Sequence, residues 1–328
     1  MALIDGFGRE ITYVRLSVTD RCDFRCVYCM SEDMQFLPRA QVLSLEEIYR
    51  IGRILVALGV TKIRLTGGEP LIRQNIVWLV TELAQLEGLK ELTLTTNGSR
   101  LSQLAAPLKA AGLSRINISL DSLQTKRFKD ITRTGDLADV LAGIQAAQDA
   151  GFKRIKLNTV IMRGYNEDEV LDLVNFVRQQ QLDIAFIEEM PLGQIDDHTR
   201  QQTYMSSDEL RAQISTVYPL HAVTDSTGGP ARYYAMSDSL SRIGFISPHS
   251  HNFCGDCNRV RVTVEGRLLL CLGNEHSIDL KAVLRASPDD DKAVIEAIHA
   301  ALAHKPERHY FDLANEPQIV RFMNMTGG

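Results

Sequence analysis

The sequence predicts an α/β protein, with an open partial (β/α)6 barrel of the TIM type followed by a smaller C-terminal α+β domain. Strand-like and helix-like patterns alternate from Thr12 to about Met190, which is typical of a parallel sheet with right-handed crossovers. Six such units are two short of a complete (β/α)8 barrel. The strand candidates also alternate polar and apolar residues, whereas strands inside a closed barrel are mostly apolar. We therefore expect a wide barrel with a polar lumen.

Six strand candidates alternate with helical patterns: Thr12–Val18, Lys62–Thr66, Glu91–Thr95, Arg115–Leu120, Arg154–Val160 and Asp183–Glu189. The clearest helix begins after Ser44, because Glu47 completes a capping box and apolar residues then recur at helical spacing. Gly59, Gly112 and Gly151 are expected to end three of the helices.

The polar residues of the first five strands fall on one parity. They are expected to face the lumen, while the apolar parity faces the helices. They include Arg15, Arg64, Thr95, Asn117, Ser119 and Lys156. The sixth strand lacks this pattern. A half-exposed antiparallel sheet would alternate in the same way, but it does not explain a helix between every pair of strands.

The pattern changes after residue 190, so we predict a barrel domain over residues 1–190 and a second domain over residues 191–328. Gly193–Thr203 is polar and suits a linker. A capped helix is expected from Ser206 to Val217. Four shorter strands and two helices follow: Arg232–Ala235, Arg242–Ile246, Arg259–Val264 and Leu268–Cys271, then Ile278–Arg285 and Asp289–Ala303.

Composition is ordinary for a globular protein, with 45% hydrophobic and 23% charged residues in a chain of 328. The net charge of −5 argues against a general nucleic-acid or anionic-membrane binder. We find no secretory signal pattern and no apolar run long enough to span a membrane. The six cysteines fall into two short-spaced groups, which indicates metal sites in a reducing compartment. These features predict a soluble cytoplasmic protein.

The first group is Cys22, Cys26 and Cys29, directly after the first strand candidate. Iron–sulfur clusters are usually held by four cysteine thiolates, so a cubane bound by three would keep one iron open for another ligand. A zinc knuckle or incidental cysteines would be the structural alternative.

The second group is Cys254, Cys257 and Cys271, again three thiols without a fourth. It predicts a second cluster with one iron open to the substrate. A structural zinc site completed by His249 or His251 remains an alternative.

Arg259 and Arg261 alternate on the strand that leaves the second group, so both guanidinium groups point to one face. Together with Arg15, Arg64 and Lys156 they would place about five positive charges in one pocket. A polyanion such as a nucleoside triphosphate would offset them. The chain has no P-loop motif, so side chains would hold the phosphates.

The spacing Cys-x-x-x-Cys-x-x-Cys, with Tyr28 before the last cysteine, resembles the signature of the radical S-adenosylmethionine superfamily. The resemblance implies that Cys22, Cys26 and Cys29 bind a [4Fe–4S] cluster whose open iron chelates S-adenosylmethionine. An electron from the cluster would cleave the carbon–sulfur bond of S-adenosylmethionine. Tyr28 would lie beside the adenosine.

The whole chain resembles the GTP 3′,8-cyclases of molybdenum cofactor biosynthesis. Shared segments are Thr66–Pro70, Thr95–Gly98, Asn117–Ser122, Lys156–Thr159, Cys254–Arg261 with Cys271, and the terminal Gly327-Gly328. Only the second cysteine group with its arginines and the Gly-Gly end are specific to this family. Asp23 stands where members often carry Asn. The end is either frayed or, as in the family, a tail that enters the active site.

The resemblance implies roles for further residues. Gly68, Ser119 and Met190 would complete the S-adenosylmethionine site with Tyr28, and backbone approach at Gly68 would need a residue without Cβ. GTP would contact Arg15, Arg64, Thr95, Lys156, Arg259, Val260 and Arg261. Its guanine would bind the second [4Fe–4S] cluster at Cys254, Cys257 and Cys271.

In the implied reaction, the 5′-deoxyadenosyl radical takes hydrogen from ribose C3′, and the C3′ radical adds to guanine C8. The product is (8S)-3′,8-cyclo-7,8-dihydroguanosine 5′-triphosphate. No side chain is assigned a catalytic role. The resemblance also implies an external electron donor, a homodimer, and hand-off of the product to cyclic pyranopterin monophosphate synthase. Rival interpretations are a radical peptide-maturing enzyme with auxiliary clusters and a non-catalytic zinc-binding interaction module.

Overall fold

Twelve strands form one open sheet in the part of the chain that the structure describes. The structure is a computed structural model and describes residues 2–195, 198–224, 228–312 and 319–327. The strands are β1 (Tyr13–Ser17), β2 (Lys62–Thr66), β3 (Glu91–Thr96), β4 (Arg115–Ser119), β5 (Lys156–Val160), β6 (Asp183–Ile187), β7 (Leu220–Ala222), β8 (Arg232–Met236), β9 (Ser239–Ile246), β10 (Arg259–Val262), β11 (Arg267–Leu269) and β12 (Ser277–Asp279).

The helices are α1 (Leu45–Ala57), α2 (Ile76–Ala84), α3 (Leu101–Ala110), α4 (Thr125–Thr132), α5 (Leu137–Asp149), α6 (Val170–Gln180), α7 (Arg200–Thr203), α8 (Ser207–Ser215), α9 (Leu280–Ala286), α10 (Asp291–Leu302) and α11 (Met323–Thr326). Short 3-10 helices occur at Arg39–Gln41, Pro70–Ile72 and Glu167–Glu169. No helix among the described residues is long and apolar enough to cross a membrane.

Strands β1 to β6 are neighbours in chain order and all pair in parallel. Strand β9 adds to β6 in parallel, and β10 adds to β1 in parallel. Antiparallel strands β7 and β8 follow on one side, and β11 and β12 on the other. The predicted partial barrel is confirmed. Strands from after residue 190 extend both of its edges, while the domain division at that residue stays a prediction.

The residues that the sequence predicts to cap or end helices do so at the expected positions. The Ser44 hydroxyl accepts from the Glu47 amide, and the Glu47 carboxylate accepts from the Ser44 amide, which together cap α1. Ser206 and Glu209 cap α8 in the same way. The glycine after α1, Gly59, has a φ of 102°, a left-handed conformation that a residue with a Cβ rarely adopts.

The apolar and polar residues of the strands also face the sides that the sequence predicts. The apolar residues Leu16, Leu65, Leu94, Ile118 and Leu157 are buried in the main hydrophobic core. Their polar neighbours on the same strands line an internal cavity. The apolar face therefore packs against the helices, and the polar face forms the lumen.

The main differences from the sequence predictions lie after residue 190. The helix predicted from Ile278 begins at Leu280, because Ile278 pairs with Leu268 of β11 and the Asp279 side chain caps α9. Strand β7 was not predicted. Helix α7 forms inside the predicted linker Gly193–Thr203, of which residues 196–197 lie outside the described part.

Candidate active site

One cavity inside the barrel is lined by both groups of cysteines. It is also lined by every residue that the resemblance assigns to S-adenosylmethionine or GTP: Tyr28, Gly68, Ser119 and Met190, then Arg15, Arg64, Thr95, Lys156, Arg259, Val260 and Arg261. The side chain of Val260 belongs to the hydrophobic core, so a contact from this residue would come from its backbone.

The two cysteine groups lie at opposite ends of the lumen. The first group follows β1, so it lies at the carboxyl ends of the parallel strands. The second group lies at their amino ends, since Tyr13, the first residue of β1, pairs with Arg259, two residues after Cys257. Strand β11 runs antiparallel and ends at Leu269, opposite Arg261, which brings Cys271 to the same end.

The loop with the first cysteine group is held by the protein backbone. The amides of Arg25 and Val27 donate to the carbonyls of Thr132 and Ile131, at 2.9 and 3.0 Å. Burial raises the pKa of all three thiols, that of Cys29 to about 12. The loop thus holds three protonated thiols ready for a metal that displaces their protons.

Carboxylates surround this first group. The Tyr28 hydroxyl donates to Asp121 at 2.8 Å, and burial raises the pKa of Asp121 to about 6. Burial likewise raises the pKa of Glu69 to about 7, although this side chain accepts hydrogen bonds from the Asn97 and Leu71 amides. Burial thus opposes the charged forms of both carboxyl groups.

Asp23 is integrated into the same network. Its carboxylate accepts from the Asn97 side-chain amide at 2.6 Å and from the Ser99 hydroxyl at 2.7 Å. An acidic residue therefore has donors at this loop position, and the departure from Asn needs no change in the loop.

Packing within the chain requires a glycine at position 68. A Cβ on this residue would lie 2.2 Å from the Arg21 carbonyl oxygen, a contact that only a backbone shift could relieve. The Gly68 amide donates to the Thr19 carbonyl at 2.8 Å. The loop after β2 thus packs directly on the loop that begins the first cysteine group.

The second group has cationic neighbours that sequence reasoning missed. His309 Nδ1 lies 3.0 Å from the sulfur of Cys254, and the buried Lys305 ammonium donates to Cys257 at 3.6 Å. Burial opposes ionisation of Cys254 and Cys257, but these cations outweigh it and lower the pKa of both thiols. Burial raises the pKa of Cys271.

The histidines considered as zinc ligands point elsewhere. His249 Nε2 interacts with the Glu189 carbonyl, and His251 Nε2 with the Asp208 carboxylate, both at 2.9 Å. Among the described residues, no three His, Cys, Asp or Glu side chains converge as a single metal ion requires.

Cations gather at the amino ends of the strands around the buried Tyr13. Strand register explains this, because Tyr13 is opposite both Lys62 and Arg259, and Arg15 is opposite both Arg64 and Arg261. We call these five basic residues together with Lys156 the cation cluster. Burial and the neighbouring Arg64 hold the pKa of Lys156 well below its usual value. The cation cluster is therefore poised to gain an anion.

Three hydrogen bonds join Arg15 and Arg64 of the cation cluster to Tyr13 and Thr95. The phenol oxygen of Tyr13 accepts from Arg64 Nε at 2.6 Å and from Arg15 Nε at 3.2 Å. Arg64 also donates to the Thr95 hydroxyl at 2.9 Å. Tyr13 and Lys62 share the parity of Arg15 and Arg64, so strand alternation alone could have found them.

The C-terminal tail packs against the wall of the cavity, which Met323 helps to line. Arg261 donates to the carbonyls of Gly327 and Thr326, and the Asn324 side chain donates to the Asp20 carbonyl at 2.8 Å. A Cβ on Gly327 would lie 2.1 Å from the Thr66 side chain. Gly328 lies outside the described residues. Gly327 is thus packed against the lumen wall and is not a frayed end.

The chain is 62% identical over 328 residues to a GTP 3′,8-cyclase of Pseudomonas putida (strain W619), covering 100% of this chain and 98% of that protein. It is 60% identical over 326 residues to a GTP 3′,8-cyclase of Saccharophagus degradans, covering 99% and 98%. The chain belongs to the GTP 3′,8-cyclase family. The family resemblance read from the sequence is confirmed, and both rival interpretations are wrong.

Two family models match separate parts of this cyclase family member. Residues 16–177 match the Radical SAM superfamily, and residues 182–311 match Molybdenum Cofactor Synthesis C. Streptococcus suis SuiB bound to S-adenosylmethionine shares the fold, with a TM-score of 0.63 and 13% identity over 97% of this chain and 78% of that one. The prediction of a [4Fe–4S] cluster and S-adenosylmethionine is confirmed, while the second cluster stays a prediction.

Proposed function

We propose that this protein is a GTP 3′,8-cyclase, which joins ribose C3′ of GTP to guanine C8 in the first step of molybdenum cofactor biosynthesis. The observation that carries this proposal is the shared cavity. Two groups of three cysteines and the six basic residues of the cation cluster line the same lumen, so a radical source, a second cluster and a triphosphate could meet there.

Cys22, Cys26 and Cys29 would hold the first cluster, at the carboxyl ends of the strands. Tyr28, Gly68, Ser119 and Met190 would bind S-adenosylmethionine beside it. When bound there, S-adenosylmethionine and the reduced cluster supply the radical that removes a hydrogen from C3′. The hydrogen bond from Tyr28 to Asp121 holds the aromatic ring in place, and the ring would help to orient the adenosine.

Cys254, Cys257 and Cys271 would hold a second [4Fe–4S] cluster, at the amino ends of the strands. Lys305 and His309 contact two of these thiols and would orient them and offset their charge. Guanine would bind on the cavity side of this cluster.

The cation cluster would bind the triphosphate, with Thr95 adding a hydroxyl. Arginine forks match the geometry of phosphate oxygens and can donate two parallel hydrogen bonds. Since the cation cluster and the second cysteine group share one end of the lumen, a GTP molecule held by both would extend its ribose toward the first group.

The chain itself contributes positioning and exclusion of water. The buried lumen and the tail packed against its wall at Gly327 would keep a carbon-centred radical from reacting with solvent. The proposal includes an external electron donor, a homodimer, hand-off of the product to the next pathway enzyme, residence in the cytoplasm, and two domains that meet at residue 190.

Anaerobic analysis of iron, sulfide and zinc in the reconstituted protein tests this proposal, followed by incubation with dithionite, S-adenosylmethionine and GTP. We expect about eight irons per chain, with formation of 5′-deoxyadenosine and a cyclised guanosine triphosphate. About four irons with one zinc would instead make the second site structural. Cleavage of S-adenosylmethionine without consumption of GTP would overturn the substrate assignment.

A further inference from the structure

The phenol of Tyr13 lies in the middle of the cation cluster and is 1% exposed. Its oxygen accepts hydrogen bonds from two guanidinium groups, those of Arg64 and Arg15. Its ring lies beneath three cationic groups, with centroid distances of 5.1 Å to Lys62, 5.7 Å to Arg259 and 5.8 Å to Arg15. Each neighbouring strand thus brings positive charge to this one side chain.

The groups that lower the pKa of Tyr13 are cations, namely Arg15, Arg64, Arg259 and Lys62. In the described part of the chain, Glu91 is the acidic partner nearest in the network, and it pairs with Lys62 and with Arg115. The side-chain partners of Arg64 are Tyr13 and Thr95, both neutral in their usual forms. The remaining charged groups that act on Tyr13 or respond to it are the cations Arg115, Lys156 and Arg261.

We propose that Tyr13 is the counter-anion of the cation cluster, ionised in the GTP-free protein and protonated when the triphosphate binds. This inference rests on the proposed assignment of the cation cluster to the triphosphate of GTP. Two guanidinium donors on one phenol oxygen favour phenolate over phenol, because the phenolate accepts both hydrogen bonds without a proton of its own.

The ionisation behaviour agrees with this geometry. Burial by itself would raise the pKa of Tyr13, but the charges of Arg15, Arg64, Arg259 and Lys62 outweigh it and lower the pKa well below its usual value. A bound triphosphate would neutralise the same cations and repel a phenolate. The pKa of Tyr13 would then rise, one proton would be taken from solvent, and the phenol would be able to donate to a phosphate oxygen.

Proton uptake by Tyr13 would make GTP binding depend on pH. Binding that takes up a proton weakens as pH rises between the pKa of Tyr13 in the free protein and its higher pKa in the complex. With one proton taken up, the GTP affinity falls by about tenfold per pH unit in that window. Removing the phenol oxygen would remove this part of the pH dependence.

Anaerobic calorimetry of GTP binding to the reconstituted protein counts the protons, in two buffers of different ionisation enthalpy. At about pH 8 the γ-phosphate is already ionised, so its protons do not contribute. Lys156 can also take up a proton, and the decisive quantity is therefore the difference between wild type and Tyr13→Phe. We expect wild type to take up about one proton more; equal uptake would overturn the proposal.

Tyr234→Phe is the matched control, because this phenol also accepts from an arginine, Arg211 at 2.8 Å, but does not line the cavity. It should take up as many protons as wild type. If Tyr13→Phe binds no GTP, the near-ultraviolet difference spectrum between the GTP-free wild type and variant decides. A tyrosinate absorption band in the difference spectrum recorded at about pH 8 supports the proposal. A band of neutral tyrosine alone contradicts it.

The double variant Arg259→Ala/Arg261→Ala separates this inference from the proposed function. Unchanged GTP affinity in the double variant would refute the assignment of the cation cluster to the triphosphate. Weakened affinity in the double variant, with equal proton uptake by wild type and Tyr13→Phe, would refute the role of Tyr13 alone.

Discussion

The two groups of cysteines face the same cavity, yet their nearest charged neighbours have opposite signs. Around Cys22 and Cys26 the charged neighbours are carboxyl groups, chiefly Glu69 and Asp121, and after burial these raise the thiol pKa values further. Around Cys254 and Cys257 the charged neighbours are His309 and Lys305, which lower the thiol pKa values. One ligand chemistry is thus placed in two electrostatic settings.

Opposite electrostatic surroundings allow a protein to assign two roles to similar sites. An electron added among carboxyl groups is repelled, so a cluster there should be a strong reductant, as cleavage of a carbon–sulfur bond requires. A cluster among cations is easier to reduce and lies where an anionic substrate is attracted. We therefore expect the first site to provide reducing power and the second to hold the nucleotide.

Removal of one thiol from each site should break the comparison most strongly. Cys26→Ser should reduce formation of 5′-deoxyadenosine to that of cluster-free protein, because the first cluster loses a ligand. Cys271→Ser should lose about half of the iron and keep part of the cleavage of S-adenosylmethionine. Iron content and 5′-deoxyadenosine formed with dithionite are the measurements. Loss of all iron and all cleavage in Cys271→Ser would show that the sites are not independent.

The arginine pair sharpens the substrate side of the comparison. Arg259→Ala/Arg261→Ala should weaken GTP binding by about 100-fold or more, since each charged hydrogen-bonding partner contributes roughly 1.5–3 kcal/mol. Iron content should stay that of wild type. Arg232→Ala is a control, because this arginine is exposed at the start of β8. Equal GTP affinity in wild type, the double variant and Arg232→Ala would refute the assignment of the cation cluster to the triphosphate.

Lys305→Met tests whether the cationic surroundings act on the second cluster electrically. Loss of a charge 3.6 Å from the Cys257 sulfur should shift the reduction potential of that cluster by roughly −50 mV, equivalent to about 1 kcal/mol. Redox titration followed by electron paramagnetic resonance measures both clusters, and the first should not change.

Two variants show whether a shift in Lys305→Met is electrostatic. Lys305→Arg keeps the charge and should restore most of the potential. Lys292→Met removes a lysine whose side chain is 81% exposed and should shift nothing. Equal shifts in both clusters would mean that Lys305→Met disturbs the fold and not the local charge.

Gly327→Ala should have the smallest effect. Gly327 has a φ of 74°, and a Cβ would meet Thr66, so the substitution costs roughly 1–3 kcal/mol of local strain. We expect displacement of the tail, about tenfold lower cyclase turnover, and unchanged iron content. Gly151→Ala is the control, since Gly151 also has a positive φ, of 78°, but a Cβ there has no atom within 4 Å. Turnover equal to wild type in both variants would assign the tail no part in catalysis.

Most of the barrel could be predicted because its signals are local. The six strands were predicted to within two residues at each end, and the capping boxes at Ser44 and Ser206 form as expected. The sequence predicts a helix from Ile278, but pairing with β11 decides the conformation of this residue. A three-residue strand depends on its partner more than on its own pattern.

The family, the cysteine groups and the polar parity of the strands can be read from the sequence, because they depend on spacing between near neighbours. Which distant residues meet depends on the tertiary fold. Tyr13 joins Arg64 and Arg259 through strand register, and His309 reaches Cys254 across 55 residues. Charge balance in a buried cavity depends on every group within a few ångströms, and chain order does not contain that information.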